Sequence, residues 1–145
     1  MLKTIRSLAA LILLGGTITT SLASELISVY KSPTCGCCGA WIEHLEQNGF
    51  RVKAYDSDRM GEIKQALGVA PQHASCHTAE IDGYVIEGHV PAAEIRRLLQ
   101  ERPAMAGLSV PGMPMGSPGM EGRRKDPYQV LLFDRKGNSR VYADY

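Results

Sequence analysis

Short β-patterned and helix-patterned runs alternate along most of this chain. Glu25 to Tyr30 alternates apolar and polar positions and is rich in β-formers, which predicts a first strand. Ser32-Pro33-Thr34 breaks it. Ala40 to Gln47 then carries Ala40, Trp41 and Leu45 at helical spacing and is ended by Asn48-Gly49. Phe50 to Tyr55 reads as a second strand, and Asp58 is the expected N-cap of a helix that runs through Leu67 and stops at Gly68. Strand, helix, strand, helix with short connections predicts a right-handed βαβ unit and a parallel pair.

From Val69 the pattern changes. Thr78 to Ile81 and Tyr84 to Glu87 flank Asp82-Gly83, a dipeptide favoured in two-residue hairpin turns. Pro91 suits the first turn of a third helix whose apolar face is Ile95, Leu98 and Leu99. Ala104 to Gly122, dominated by Gly, Pro and Met, predicts a long loop, and loops of that length are more often functional than idle. Tyr128 to Phe133 and Ser139 to Tyr142 form a hairpin across Lys136-Gly137-Asn138. The expected fold is α/β: a thioredoxin-like mixed sheet with flanking helices, plus an appended C-terminal β-hairpin and a Gly/Pro/Met-rich loop.

The first residues have the pattern of an export signal. Lys3 and Arg6 are the basic region, Leu8 to Leu14 the apolar core, and Ser21-Leu22-Ala23 a small-x-small cleavage pattern. Cleavage is expected after Ala23, which makes residues 1–23 a signal peptide and residues 24–145 a single periplasmic domain. A retained membrane helix would need about 20 mostly apolar residues, and Gly15-Gly16-Thr17 and Thr19-Thr20-Ser21 interrupt any such run. Loss of Lys3 and Arg6, with no acidic residue in the segment, takes the formal charge from +1 to −1. That balance calls for neither nucleic acid nor an anionic membrane surface. The remaining chain, roughly 120 residues, is enough for one core and too short for two.

All four cysteines are concentrated in two places: Cys35-Gly36-Cys37-Cys38, at the start of the first helix, and Cys76, beside His77. Cys35 and Cys38 have the C-x-x-C spacing of a redox dithiol, which is also half of a four-thiolate metal site. A helix N-terminus lowers thiol pKa there. The inserted Cys37 fits neither simple reading, whereas closely spaced thiolates suit ligands that bridge several ions. Soft thiolates select Cu(I), and also zinc. A polynuclear Cu(I)-thiolate centre is the leading inference, with zinc the lesser choice and a redox dithiol, Cys35 attacking and Cys38 resolving, the second reading. Two plain disulfides remain a third, supported by the even count.

Other residues are secondary candidates. If Pro71 precedes the third strand, its loop faces the cysteine helix and brings Cys76 and His77 within range. Pro71 itself suits a cis bond in such a fold. His44 reads as a solvated helix residue, His89 as a structural or hydrogen-bonding one, and His73 as undecided. Methionine thioether is a soft Cu(I) ligand, so Met113 and Met115 are candidate ligands, with apolar cover as the alternative. Nucleophile-elbow, phosphate-loop and HExxH patterns are absent from the sequence.

Four ordered segments carry a family resemblance: Tyr30 to Cys38, Ser75 to Ala79, Gly83 to Pro91 and Gly107 to Pro114. Together they resemble the domain of unknown function 411 family, which includes CopG-type exported proteins associated with bacterial copper resistance. The resemblance implies a thioredoxin-like fold, an envelope location and Cu(I) binding through Cys35, Cys37, Cys38 and Cys76. The expected function is copper resistance or homeostasis, with copper ions and other periplasmic copper-handling proteins as partners. The alternative is a thiol-disulfide or copper-linked oxidoreductase using Cys35 and Cys38.

Overall fold

A computed structural model describes residues 25–145, and the expected signal peptide 1–23 with its cleavage site lies outside the described residues. Strand β1 (Leu26–Lys31) leads into helix α1 (Gly36–Gln47), followed by β2 (Arg51–Asp56) and helix α2 (Met60–Ala66). β1 and β2 are parallel, with Leu26 opposite Arg51 and Lys31 opposite Asp56. Helix α2 starts later than its sequence implies. Arg59, not Asp58, is its N-cap, and no side chain caps it. The Arg59 N–H instead donates to Ser57 Oγ at 3.1 Å, a local turn that competes with capping.

A 3-10 turn at Pro71–His73 precedes β3 (Thr78–Ile81) and β4 (Tyr84–Glu87). These form the expected antiparallel hairpin, with Asp82 and Gly83 at φ 48° and 84° as a two-residue primed turn demands. Helix α3 (Ala92–Glu101) follows with Pro91 at its N-cap. No peptide bond among the described residues is cis, so Pro71 is trans.

The sequence stretch read as one long loop contains a strand. β5 (Gly107–Ser109) lies parallel to β4 and antiparallel to β6 (Gln129–Phe133), which pairs with β7 (Ser139–Asp144). All seven strands make one mixed sheet in the order β2-β1-β3-β4-β5-β6-β7. The C-terminal hairpin is thus joined to the rest of the sheet through β5. Three residues are too few for a periodic signal, and β5 is defined by close backbone approach: a side chain on Gly107 would collide with the Val85 carbonyl.

Period-two alternation sorts the sheet into two faces. On the larger face Ile27, Val29, Ala79, Ile81, Ile86 and Leu108 pack against Trp41 and Leu45 of α1 and Ile95 and Leu98 of α3. The smaller face carries Val85 and Phe133, packed with Val69 and Ala106 and flanked by Leu67 after α2. Glu87 has the parity of Val85 and so points to the side of α2, where Lys64 meets it at 2.5 Å.

Because Leu108 is fully buried in the strand that joins the two halves of the sheet, Leu108→Ala should destabilise the protein by about 2–5 kcal/mol. The measurement is the denaturant midpoint at constant slope. A loss within about 0.5 kcal/mol, the range of a surface substitution, would mean that β5 carries no part of the core.

Candidate metal centre

Helix α1 sets out its cysteines by spacing alone. Cys38, Trp41 and Leu45 follow each other at three and four residues and form its buried stripe. Ala40, assigned to the apolar face from sequence, is exposed instead. Cys35 is the N-cap, in extended conformation, and its side chain makes no capping hydrogen bond. Cys35 and Cys38 form a disulfide with Cα atoms 5.4 Å apart. Cys37 stays free, half-buried on the flank of the helix, with its Sγ 3.5 Å from Cys35 Sγ and 4.0 Å from Cys76 Sγ. The four sulfurs all lie within 4.8 Å of one another.

Cys76 reaches this cluster from the sheet. Its Sγ is 3.2 Å from His77 Nδ1 and 3.0 Å from His89 Nε2. Both rings are fully buried, His77 against the Trp41 indole at 4.3 Å and edge-on to His89 at 4.9 Å. Burial holds both imidazoles below their ordinary pKa, His77 far below, and the neighbouring His89 and Lys64 further disfavour a charge on His77. Burial also pushes the Cys76 thiol up to about 12, reinforced by Cys37. The centre without metal is therefore an uncharged thiol between neutral imidazoles.

A buried carboxylate fixes the Cys76 loop. Glu87 Oε1 accepts the Ser75 N–H at 2.7 Å and the Lys64 ammonium at 2.5 Å, while Oε2 accepts the Thr78 hydroxyl at 2.7 Å. Desolvation raises its pKa, and Lys64, Thr78 and Ser75 oppose the rise. The residue before Cys76 is thus tied to β4 and α2 together.

The segment after β5 covers the centre from the other side. Gly112 donates its N–H to the Ala74 carbonyl at 3.2 Å, and the Ser75 hydroxyl donates to the Gly112 carbonyl. Farther along, the His89 Nδ1–H donates to the Pro118 carbonyl at 2.8 Å. Gly119, at φ 82°, presses on α1: a Cβ there would lie 2.7 Å from Trp41 N and 2.8 Å from the Cys37 carbonyl oxygen. Only glycine meets both conditions. Met113 is 53% exposed, and the loop makes its observed contacts with the centre through Pro118 and Gly119.

The sequence-named cysteines and His77 therefore converge, and His44 differs from its reading. His44, expected to be solvated, is half-buried and accepts the Ala92 N–H on Nε2 at 3.1 Å, tying the start of α3 to α1. His89 makes the hydrogen bond expected of it, but on Cys76. Its position was legible in the hairpin register. Thr78 pairs with Glu87 across the Asp82-Gly83 turn, and the Gly88 N–H donates to the His77 carbonyl at 3.0 Å, so continuing the count sets Cys76 opposite His89. His73, undecided from sequence, is buried, stacked on Phe133 at 5.2 Å and 3.2 Å from the Gly137 carbonyl.

The family described as "Protein of unknown function, DUF411" matches residues 73–120, from the 3-10 turn to the covering loop. A solved structure titled "Copper resistance protein copG- Form 2" is 50% identical, with a TM-score of 0.79 over 83% of this chain and 98% of its own. A second, "Copper resistance protein copG- Form 1", is 50% identical, with a TM-score of 0.78 over 83% of this chain and 96% of its own. No curated protein matches. At that identity across nearly the whole length of both structures, the chain belongs to the DUF411 family of CopG-type proteins.

Proposed function

We propose that this protein binds Cu(I) in the periplasm for copper resistance, holding more than one ion through Cys35, Cys37, Cys38 and Cys76. The observation that carries the reading is the meeting of four sulfurs within 4.8 Å in a chain 50% identical to copper resistance proteins. Soft sulfur favours Cu(I) over hard cations, with zinc as the lesser alternative. Cys76 is also shared with two imidazoles, and the combined donors exceed the four positions of a single tetrahedral ion. The signal-like segment 1–23 supports export, and among the described residues no helix is long and apolar enough to cross a membrane. Copper ions are the cargo, and other periplasmic copper-handling proteins are the proposed donors or acceptors.

A second reading is favoured by the Cys35–Cys38 disulfide. Half-buried Cys35 and buried Cys38 fit the attacking and resolving sulfurs of an oxidoreductase, thiol-disulfide or copper-linked. Cys37 separates the two readings: a dithiol enzyme has no use for it, whereas a metal cluster bridges through it. In the binding reading, the disulfide is the closed state of the same centre and must be reduced before full loading.

Anaerobic titration of the reduced protein with Cu(I), counted by elemental analysis, should give more than one ion per chain, and Cys37→Ser should lower the count. Full stoichiometry without Cys37 would remove the main argument for a bridged cluster.

Cys76 is a neutral thiol before loading, with its pKa raised to about 12, so binding Cu(I) releases its proton. Copper affinity should therefore rise with pH through the neutral range, measured by competition against a chelator whose own pH dependence is known. A flat profile would mean that Cys76 stays outside the coordination sphere.

The covering loop tests how far the centre extends. Replacing Met113 and Met115 together by Leu conserves volume and should cost under about 1.5 kcal/mol. If the loop acts through Pro118 and Gly119, copper release to a competing chelator matches the parent. Faster release from a normally folded double variant would make the two methionines ligands or a lid.

A further inference from the structure

We propose that a cleft between α2, the 3-10 turn and the β6-β7 turn binds a small organic carboxylate with an apolar body. No cysteine or histidine lines it, so this site stands or falls independently of the copper reading.

Shape is the first support. Three separate segments wall a volume of about 590 Å³, inside the range of about 300–1,000 Å³ usual for small-molecule sites. The walls are tied to one another. Arg135 Nη1 donates to the Leu67 carbonyl at 2.9 Å, and Gln72 Nε2 donates to the Gly137 carbonyl at 3.0 Å. Two left-handed glycines permit these approaches: a Cβ on Gly68, at φ 75°, would lie 3.1 Å from Arg135 Nη1, and one on Gly137, at φ 88°, would lie 2.8 Å from Gln72 Nε2. A cleft held by its own framework loses little binding energy to ordering.

Charge is the second. Lys64, Arg135 and Lys136 line the cleft, and no Asp or Glu does. The whole chain has 16 Lys and Arg against 15 Asp and Glu, so three cations without an acid depart from its average. Two carboxylates bonded to this region are already engaged. Glu87, fully buried, holds Lys64 at 2.5 Å. Asp134 accepts the Lys136 N–H at 2.8 Å and, at 2.9 Å each, the backbone and side-chain N–H groups of Asn138. The Lys136 ammonium makes no hydrogen bond or ion pair among the described residues, and Arg135, with five N–H donors, is bonded there only to Leu67.

The rest of the lining chooses the ligand. Val69, Ala70, Pro71 and Ala74 give the cleft an apolar surface, which a bare inorganic anion would leave in contact with water. A carboxylate on a short hydrocarbon body uses both parts, with its charge on Arg135 and Lys136 and its body against Val69 and Pro71. Gly61 of α2 also lines the space, and a Cβ there would meet nothing within 4 Å. Glycine weakens a helix, and no neighbour requires it at this position. Its missing side chain leaves room in the cleft.

The test uses the mature protein labelled with nitrogen-15, its Cys35–Cys38 bond intact. Hexanoate is the probe, with hexanamide as its uncharged counterpart and sulfate as an anion without a hydrocarbon body. Hexanoate should shift the backbone resonances of Gly68, Val69, Lys136 and Gly137 saturably, at one site per chain and more weakly as salt is raised. Hexanamide and sulfate should each bind at least about 10-fold more weakly, the scale of one lost hydrogen bond to a charged group. Lys136→Gln should weaken hexanoate by a similar factor and Lys136→Arg should restore it. Gly61→Leu, which places a side chain in the open space, should abolish binding in a folded protein, and the Lys136 pair decides the matter if that variant misfolds. No saturable shift, or hexanamide or sulfate binding as well as hexanoate, overturns the proposal. So does an acidic peptide that shifts the same resonances where hexanoate does not, which would make the cleft a protein-docking surface.

Discussion

The carboxylate of Glu87 is the constraint on which the rest of the centre depends. It is fully buried, and an unpaired charge there would be prohibitive. Lys64, Thr78 and the Ser75 N–H satisfy it from α2, β3 and the loop before Cys76. Removing one member of a buried pair of this kind typically costs about 3–5 kcal/mol, because the other charge is left behind. The energetic penalty becomes positional accuracy. Ser75 cannot drift without stranding an acceptor, so Cys76 is delivered to Cys37 by a polar network on the face of the sheet opposite α1.

The two sides of the centre consequently have different mechanical supports. Cys35, Cys37 and Cys38 ride on the first turn of α1, which is anchored by Trp41, whose Nε1–H donates to the Val90 carbonyl at 2.9 Å. Cys76, His77 and His89 belong to the β3-β4 hairpin and its extensions. Where the two bodies meet, Gly119 packs on the backbone of Cys37 and Trp41 while its neighbour Pro118 holds His89. The loop therefore touches both sides at once. A shift of the helix turn when the disulfide opens would be felt by His89 through two consecutive loop residues.

How much of this was legible follows from what kind of interaction carries each part. The strand and helix order was readable from side-chain periodicity, and the Asp82-Gly83 turn placed the hairpin to the residue. That register also contained the Cys76 and His89 pairing. It went unused because His89 lies beyond the last patterned residue of β4, where proximity to Pro91 reads as a connection. β5 was invisible for another reason: Gly107 is chosen for the side chain it lacks, and backbone contacts leave no hydrophobic signature. The same holds for Pro118, which acts through its carbonyl. His44 was misjudged because its partner, the Ala92 N–H, is forty-eight residues away. Methionines drew attention in the loop because composition is visible from sequence and carbonyl direction is not.

Cys37 gives these features a common logic. In a helix the residue between the two members of a C-x-x-C pair that lies one position before the buried cysteine points to the flank, about a quarter turn from the core stripe. Here that flank faces Cys76, so Cys37 Sγ is 3.5 Å from Cys35 Sγ on its own helix and 4.0 Å from Cys76 Sγ on the sheet. Its sulfur thus has another cysteine sulfur within 4.0 Å on the helix and on the sheet. A protein built solely to exchange Cys35 and Cys38 between thiol and disulfide gains nothing from a third sulfur there, since any nearby thiol competes for the same bond. Under the proposed metal-binding reading, a sulfur at that position joins the helix side to the sheet side, and Gly119 lets the loop approach the Cys37 carbonyl beside it.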